Sequence, residues 1–527
     1  MIQYIFGIAC VILLCILAEK FSDKLGMPAL ILFMFVGILF GSDGVFKIDF
    51  SDFKMAENLC SFALIFIMFY GGFNTKWKQA KKVAVKAVLL STVGVLITAA
   101  ITALLCHYVL RMTVGESFLI GAVLSSTDAA SVFAILRKKK LNLKDGTASL
   151  LEVESGSNDP VSYLLTIVAI SVVNTGGLGN VISTILMQLI VGVVVGILIA
   201  ELSVRILTRT NLVTEGLDTI FIIAMVMVCY AVTSCLNGNA YLSIYLYGIY
   251  IGNKRIQNKQ TIIGFFDALT SLAQIGIFFV IGLLSFPNEL PEFIPTALAV
   301  VAFLTVIARP VAVFLLLIPL KCSIPQCLLV SWAGLRGASS SVFAIMAVSA
   351  GISMQKDLFQ IVFMVSLFSA AIQGTLLPDV AEKLKMIDDK SDVRKTFNDY
   401  QDETDFQLMK MHIPSGHNWE NKKIKEVSMP TGSLALMIMR DKQKIVTRGD
   451  VEIHAGDDII LSVPPYNSKE KLKERQIGKS HAWCDKTIEE IEIPEHKIIA
   501  MVLRDEETII PDGKTVIKEN DIVVLFQ

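Results

Sequence analysis

The sequence carries little charge for its length. Asp, Glu, Lys and Arg make up 18% of its 527 residues, whereas 54% of the residues are hydrophobic and the mean hydropathy is +0.62. Soluble domains usually contain about 25% charged residues, so this composition excludes an ordinary soluble multi-domain protein. The formal net charge of −1 leaves no basic face, and we therefore expect no nucleic-acid partner.

Patterns typical of catalytic and metal centres are missing as well. The nine cysteines show no CxxC pair and no metal-ligand spacing. The six histidines form no recognisable catalytic arrangement with the serines, and no segment resembles the TVGYG filter of a potassium channel. The sequence predicts a protein that is neither an enzyme nor a channel and that needs no resident cofactor.

Long apolar runs dominate the first three quarters of the chain. Runs of roughly 17–25 residues, enough to cross a bilayer core, recur from Met1 to about Pro378. They predict a polytopic α-helical membrane protein with about thirteen transmembrane helices, the first of which is retained rather than cleaved. The predicted spans are 2–18, 27–41, 57–74, 83–108, 116–136, 149–174, 180–204, 217–236, 240–252, 261–285, 293–318, 326–350 and 357–377.

The loops between these spans alternate in charge. KWKQAKKVAVK (76–86) and RKKKLNLK (137–144) are strongly basic, whereas intervening loops such as SFPNELPE (285–292) are acidic or neutral. Basic loops stay in the cytoplasm. The pattern therefore predicts an N-terminus outside and a C-terminal tail inside a bacterial-type cytoplasmic membrane.

The tail after Pro378 is charged and then repetitive. WENKKIKEVSMP (419–430) aligns with WCDKTIEEIEIP (483–494), and GDDIIL (456–461) aligns with NDIVVL (520–525). The constant offset indicates a duplication, and the alternating apolar residues indicate strands. We expect an α+β tail of two small domains that pack on each other or on a second chain. The predicted division is a membrane domain (1–385), a charged linker (386–404) and two small domains (405–466 and 467–527).

Carboxylates interrupt the sixth predicted span, within EVESGSNDPVSY (152–163). An ionised side chain at mid-bilayer costs about 2.5–3.5 kcal/mol, so it belongs either to a transport path or to a structural ion pair between helices. Asp159 precedes Pro160, which frees backbone carbonyls, and Ser155 lies on the same helix face. Such an all-oxygen site suits a hard monovalent cation or a proton.

Two further spans have polar interruptions. LSSTDAASVF (124–133) clusters Ser125, Ser126, Thr127 and Asp128, and AGLRGASSSVF (333–343) places an arginine between two glycines. Both stretches predict broken helices. They fall in the fifth and twelfth spans, which are seven spans apart. We therefore expect spans 2–7 and spans 8–13 to form inverted repeats, whose broken helices cross at a site near the middle of the membrane.

The charges at these breaks need partners. Asp128 is expected to neutralise the partial positive charge of the helix N-termini. Arg336 cannot lose its proton and needs a carboxylate, for which we favour Glu154 over Asp159. Arg309 either offsets the helix C-termini at the crossing or extends its charge to the cytoplasmic side.

In this order and spacing, ESGSNDP, SSTDAASVF and GLRGASSS resemble the NhaP-type branch of the monovalent cation:proton antiporters, over about residues 1–385. The duplicated tail resembles the RCK C-terminal (TrkA-C) domain. The resemblance implies a homodimer that works by alternating access in the cell membrane, with a role in pH homeostasis. It also implies that Asp159 binds the cation and the proton, and that Ser155 and the backbone around Thr127 are further ligands of the transported metal ion.

The resemblance further assigns the residues around Asp159. Glu154 and Arg336 would form a supporting ion pair, and Asn158 would orient the Asp159 carboxylate. Electrogenic relatives carry a second Asp where this chain has Asn158, so the resemblance implies electroneutral exchange.

An exchanger follows if proton and cation compete for Asp159, because a bare carboxylate crosses an apolar barrier only at high cost. The alternatives are a cation-coupled solute symporter and a membrane sensor whose tail binds a ligand. RCK-type tails accompany potassium handling, which favours K⁺, with Na⁺ possible. By the same resemblance the tail is expected to bind a regulatory nucleotide such as a cyclic dinucleotide.

Overall fold

The computed structural model describes most of the chain. The residues it describes are 2–25, 27–75, 77–139, 141, 143–175, 181–209, 217–254, 256, 259–352, 354, 357–387, 407–427, 429, 433–440, 443–463, 472–478, 481, 483–491, 498–504, 507–509 and 511–526. Two units make up the chain, Met1–Asp389 and Lys390–Gln527.

The first unit is helical. Its α-helices are α1 (Ile2–Leu25), α2 (Ala29–Phe40), α3 (Phe53–Asn74), α4 (Trp77–Leu89), α5 (Val95–Tyr108), α6 (Val114–Val123), α7 (Ala129–Lys138), α8 (Thr147–Thr175), α9 (Val181–Arg209), α10 (Asp218–Cys235), α11 (Ala240–Gly252), α12 (Lys259–Leu283), α13 (Leu290–Phe303), α14 (Arg309–Leu317), α15 (Ile324–Trp332), α16 (Ala338–Ser349), α17 (Leu358–Phe368) and α18 (Thr375–Lys383). Short π-helical segments join α4 to α5, α13 to α14 and α17 to α18. These three pairs therefore form continuous helical stretches.

The helices match the apolar runs of the sequence. Within the described residues, nine helical stretches are long and apolar enough to cross a membrane, and α2, α6, α11 and α16 are shorter apolar helices. A polytopic helical membrane protein is thus confirmed. The count of thirteen crossings and the inverted repeats stay predictions.

Two helices are broken where the sequence predicted. Residues 124–128 separate α6 from α7, and residues 333–337 separate α15 from α16. At the first break the Ser125 hydroxyl donates to the Ala122 carbonyl at 2.6 Å, a side-chain bond that competes with helix continuation. The breaks touch, because the Asp128 N–H donates to the Leu335 carbonyl at 2.8 Å.

Glycine allows a second set of helices to approach closely. Gly72 of α3 lies against the Tyr245 carbonyl of α11, and Gly248 of α11 lies against the Phe69 carbonyl of α3, so that a Cβ at either position would overlap backbone. Small residues commonly permit such contacts between membrane helices. α3 also packs on α12, which packs on α2, whereas α8 packs on α4 and α6.

The membrane unit extends slightly beyond the predicted boundary at residue 385. Leu143 pairs with Ile387 in an isolated bridge, and the Lys144 N–H donates to the Met386 carbonyl at 2.9 Å. The rest of the predicted linker, residues 388–404, lies outside the described residues.

The second unit contains two four-stranded antiparallel sheets with the same topology, β1-β4-β2-β3 and β5-β8-β6-β7. The strands are β1 (Gln407–His412), β2 (Leu434–Arg440), β3 (Gln443–Val446), β4 (Asp458–Val463), β5 (Leu472–Gln476), β6 (Ile498–Arg504), β7 (Glu507–Ile509) and β8 (Ile522–Phe526). Each sheet has its own apolar core. The repeated sequence therefore folds as two like domains.

Candidate cation and proton site

Asp159 lies where three elements meet. It belongs to α8 and is buried, with 6% of its surface exposed. One carboxylate oxygen accepts a short hydrogen bond from the Ser126 hydroxyl at the first break. The other accepts from the Ser339 hydroxyl at the start of α16, at 2.6 Å. Both broken helices therefore contribute directly to the binding of this carboxylate.

The sequence does not single out these two serines as partners of Asp159. It places Ser126 in a polar cluster and Ser339 among three serines after Arg336. The serine runs at both breaks were the available signal. Which serine faces Asp159 depends on how the two breaks cross, which sequence spacing does not give.

Ser155 and Thr127 lie together beside Asp159. The Ser155 hydroxyl donates to the Thr127 carbonyl at 2.7 Å, and both residues are buried. A carboxylate, three hydroxyls and a backbone carbonyl thus converge on one small region. The structure brings together the three residues that the sequence proposed as ligands of the transported ion.

Asn158 does not orient Asp159 as expected. Its side-chain amide donates to the Thr127 hydroxyl at 2.5 Å and to a Glu154 oxygen at 3.3 Å. Neighbouring residues on a helix point in different directions, so Asn158 faces the first break and Glu154 instead. Orientation of the Asp159 carboxylate comes from Ser126 and Ser339.

The expected ion pair between Glu154 and Arg336 is wrong. Glu154 pairs with Arg309, whose guanidinium nitrogen lies 2.8 Å from the carboxylate oxygen, and the two side chains are 1% and 2% exposed. Arg309 directly follows the π-helical segment Leu304–Ala308. The extra residue of a π turn changes which helix face the following side chains occupy, and this shift is not visible in the sequence.

Arg336 and Arg309 therefore exchange the roles predicted for them. Arg336 donates from its guanidinium to the Ser126 carbonyl at 2.6 Å, and its N–H donates to the Ser369 hydroxyl at 3.0 Å. It supplies positive charge to backbone oxygen at the first break. The alternative in which Arg309 reaches the cytoplasmic side is wrong, because its side chain is buried and paired with Glu154.

Asp128 lies at the start of two helices. Its oxygens accept from the Ser131 N–H at 3.3 Å and from the Ser131 hydroxyl at 2.6 Å, in the first turn of α7. Its carboxylate also lies against Gly337, which precedes α16. A negative charge at these positions interacts favourably with the partial positive charge of helix N-termini.

A cavity of about 490 Å³ approaches the first break from one side. Residues of α1, α2, α7 and α12 line it, including Glu19, Phe33, Ser131, Lys139 and Gln274. Ser131 is also the hydrogen-bond partner of Asp128. One residue, Ser131, therefore separates the cavity from the Asp128 carboxylate at the break.

The arrangement can hold a proton or a cation. Ser126 and Ser339 donate to the carboxylate as it stands, and the same hydroxyls have lone pairs that can face a bound cation. Oxygen ligands suit hard cations. Within the described ranges, no group of three His, Cys, Asp or Glu side chains is placed to hold a metal ion, so a cation here would rest on one carboxylate and neutral oxygens.

Comparisons with known proteins identify the family of both parts of the chain. The family model "Sodium/hydrogen exchanger, transmembrane" matches residues 9–383, and the TrkA-C domain matches residues 408–470 and 472–526. The fold is similar to that of the sodium proton antiporter MjNhaP1 from Methanocaldococcus jannaschii, with a TM-score of 0.64 and 24% identity over 72% of this chain and 99% of that one.

Curated relatives are transporters. The K(+)/H(+) antiporter NhaP of Alkalimonas amylolytica is 31% identical over 462 residues, covering 87% of this chain and 80% of the relative. The K(+)/H(+) antiporter NhaP2 of Shewanella oneidensis is 31% identical over 450 residues, covering 84% and 78%. The Na(+)/H(+) antiporter 1 of M. jannaschii is 26% identical over 353 residues, covering 65% and 82%.

These relatives confirm that the chain is a transporter and not an enzyme. They also confirm the resemblance to the NhaP-type branch and the TrkA-C nature of the tail. With a family match across most of its length and relatives at 31% identity, the chain belongs to the sodium/hydrogen exchanger family of monovalent cation/proton antiporters.

Proposed function

We propose that this antiporter exchanges K⁺ for H⁺ by alternating access, with Asp159 as the single carboxylate that binds both. The observation that carries the proposal is the contrast between two buried acids on α8. Glu154 is paired with Arg309 at 2.8 Å, whereas Asp159 accepts hydrogen bonds from serine hydroxyls among the described residues. Of these two acids, Asp159 is thus the one left to be neutralised by a transported ion.

Competition follows from this environment. A carboxylate removed from water is stable when it carries a proton or a bound cation, and costly when it carries neither. The bundle that holds Asp159 therefore changes its exposure only in one of the two neutral forms. Each cycle moves a cation one way and a proton the other.

Electroneutral exchange is part of the proposal. Asn158 is uncharged, and the Glu154 charge is compensated by Arg309. Of the two buried acids on α8, Asp159 is then the one available for exchange, and Asp128 is held by Ser131, so one K⁺ moves for each H⁺.

K⁺ is favoured by the relatives, with Na⁺ as the second candidate. The two relatives at 31% identity are named K(+)/H(+) antiporters, and the relative at 26% identity is named a Na(+)/H(+) antiporter. The ligand set itself does not separate the two ions, because oxygen ligands accept both.

Everted membrane vesicles with a pH-sensitive dye test the proposal. A respiration-driven pH gradient is established, and K⁺ or Na⁺ is then added to vesicles containing wild type or Asp159→Asn. We expect K⁺ to collapse the gradient in wild type and to have no effect in the variant. Full exchange in Asp159→Asn would refute the site, and a response to Na⁺ alone would refute the choice of ion.

We also propose that the protein is a homodimer with its N-terminus outside and its tail in the cytoplasm. The alternation of basic and acidic loops supports this orientation. Protease added to everted vesicles should remove the tail, whereas protease added to right-side-out vesicles should leave it intact.

The tail is proposed to regulate exchange by binding a nucleotide such as a cyclic dinucleotide. A ligand shifts the transport equilibrium only if it binds the two conformations with different affinity. Calorimetry of the full-length protein with cyclic dinucleotides measures this binding. Absence of a heat signal, together with unchanged exchange when residues 390–527 are removed, would refute tail regulation by such a ligand.

A further inference from the structure

Aromatic side chains lie one helical turn from Asp159. Tyr163 follows Asp159 by four residues on α8, and Phe343 follows Ser339 by four residues on α16. The Tyr163 and Phe343 ring centroids are 5.8 Å apart. Because residues four apart share a helix face, these rings lie beside the site, displaced towards the C-terminal ends of both helices.

Two tyrosines from other helices complete this layer. Tyr241 of α11 lies 4.8 Å from Tyr163, and Tyr230 of α10 lies 5.8 Å from Tyr241, centroid to centroid. We refer to Tyr163, Tyr230, Tyr241 and Phe343 as the aromatic cluster. Rings at these separations are in contact, so a hydrated cation passes the cluster only if the helices separate.

Glu57 lies beyond the aromatic cluster. Its carboxylate accepts a hydrogen bond from the hydroxyl of Ser349, the last residue of α16, at 2.6 Å. It also lies within electrostatic range of Tyr163 and Tyr230. The carboxylate thus joins α3 to the helix that carries both Ser339 and Phe343.

Solvent reaches Glu57, whose side chain is 19% exposed. The cavity described above opens elsewhere, because it contacts Pro28 at the start of α2. Twelve residues of α2 (Ala29–Phe40) and a loop separate that point from the start of α3. A helix of this length spans about 18 Å, so Glu57 and the cavity lie towards opposite ends of the bundle.

The Glu57 carboxylate already has a cationic partner in the structure, the ammonium group of Lys54. The Lys54 ammonium is 2.7 Å from the same carboxylate oxygen that accepts from Ser349, and its side chain is 68% exposed. An ammonium carries the single charge of the transported ion. Exposed ion pairs contribute little to stability, so a free monovalent cation can displace the lysine at low cost.

We propose that Glu57 is a second cation-binding carboxylate, at the mouth of the path that the aromatic cluster separates from Asp159. The monovalent cation replaces the Lys54 ammonium on Glu57 and then passes to Asp159 when the cluster opens. Lys54 acts as a tethered competitor at this position. This inference rests on the proposed exchange at Asp159 and adds a binding step on one face of the membrane.

The test measures the KM for K⁺ in exchange by full-length protein, in right-side-out and everted vesicles. Glu57→Gln should raise the KM about five-fold on one face only, as expected for the loss of one unit charge next to a cation in water. The maximal rate should be unchanged. Lys54→Gln should lower the KM on the same face, because the competing ammonium is removed.

Glu292→Gln is the matched control, since it removes an exposed acidic charge from the first turn of α13 without touching the aromatic cluster. It should leave both KM values unchanged. An unchanged KM in Glu57→Gln, or equal increases on both faces, would overturn the proposal. A KM that does not fall in Lys54→Gln would overturn the proposal as well. This second variant keeps the test decisive if Glu57→Gln folds poorly.

Failure of the two proposals can be told apart. If wild type exchanges on neither face, the proposed function fails and the Glu57 step falls with it. If wild type exchanges normally and Asp159→Asn does not, while the Glu57 and Lys54 variants behave as wild type, only the second carboxylate is refuted.

Discussion

At the scale of single residues, two buried acids five positions apart on α8 differ in their partners. One is paired with an arginine, and the other accepts hydrogen bonds from serine hydroxyls. Glu154 faces the fixed charge of Arg309, which lies 2.8 Å from its carboxylate oxygen. Asp159 faces neutral hydroxyls from Ser126 and Ser339, so its charge has no cationic partner among these contacts. Under the proposed function, this difference in partners gives Glu154 a structural role and Asp159 the transport role.

Removing the Glu154 charge should destabilise the protein. Glu154→Gln leaves Arg309 buried without its counter-ion, and breaking a buried pair in this way costs about 3–5 kcal/mol. Thermal unfolding of the purified protein in detergent measures the effect, which should appear as a marked fall in Tm.

Glu201→Gln is the control for that variant. Glu201 pairs with Arg205, which is 63% exposed, at 2.7 Å, so solvent replaces the lost ion pair. A glutamine oxygen can still accept the hydrogen bond that the Tyr250 hydroxyl donates to Glu201. A fall in Tm that is equally large for Glu201→Gln would contradict the structural role assigned to the buried pair.

At the scale of elements, the contact between the two breaks depends on one glycine. Gly337 lies at the start of α16 against the Asp128 carboxylate, and a Cβ there would overlap that side chain. Gly337→Ala should therefore push α16 away from the first break, at a cost of about 1–3 kcal/mol. Dye-monitored exchange and Tm should both fall.

A glycine in open surroundings supplies the comparison. Gly276 of α12 has no atom within 4 Å of the position that a Cβ would take. Gly276→Ala should leave exchange and Tm near wild type. Normal exchange in Gly337→Ala would show that the crossing tolerates a wider separation than the structure indicates.

The breaks show what the sequence reveals about these elements and what it does not. Serine, glycine and charge in the middle of an apolar run predict a broken helix, because each weakens helix continuation or needs a polar partner. The partners of Arg309 and Arg336 could not be assigned in this way. They depend on a π turn before Arg309 and on how the breaks cross, and neither feature has a sequence signature.

At the scale of the whole molecule, the duplicated tail repeats an ion pair as well as a fold. Arg440 and Asp457 in the first domain correspond to Arg504 and Asp521 in the second, and each arginine binds its carboxylate through two nitrogens at 2.7–2.8 Å. The sequence alignment revealed the repeat but did not show which carboxylate each arginine binds. Folding brings Asp457, seventeen residues from Arg440, into contact with it.

The pair makes the first tail domain sensitive to acid. Burial alone would raise the pKa of Asp457, but hydrogen bonds from Arg440 and from the His454 N–H outweigh it, and the pKa lies below its usual range. A carboxylate with a depressed folded-state pKa stabilises the fold above its unfolded-state value, near 3.9. This contribution is lost as the pH falls through the lower folded-state pKa.

Asp457→Asn should therefore lower the unfolding temperature of the tail (residues 390–527) at pH 7, and the difference from wild type should shrink below about pH 4. Asp450→Asn is the control, because Asp450 is 80% exposed in its pair with Lys425. Tryptophan fluorescence during heating, recorded across this pH range, measures the effect. A difference that stays constant with pH would show that the Asp457 charge is not its cause.

The membrane unit is asymmetric about its site, with a solvent cavity on one side and the aromatic cluster on the other. The apolar runs predicted the helical membrane fold well, because hydrophobic length alone sets that requirement. This asymmetry was not predictable, since the four aromatic residues come from four helices and look like ordinary apolar positions in the sequence. A single chain sequence does not show which faces of distant helices meet.

If K⁺ and H⁺ compete for the Asp159 carboxylate, K⁺ binding must release a proton, and this release can be measured. Purified wild type and Asp159→Asn, in weakly buffered detergent solution at near-neutral pH, are titrated with K⁺ while a dye reports the pH. We expect proton release that saturates with K⁺ in wild type and is absent in the variant. K⁺ binding without proton release in wild type, or equal release from Asp159→Asn, would contradict the account.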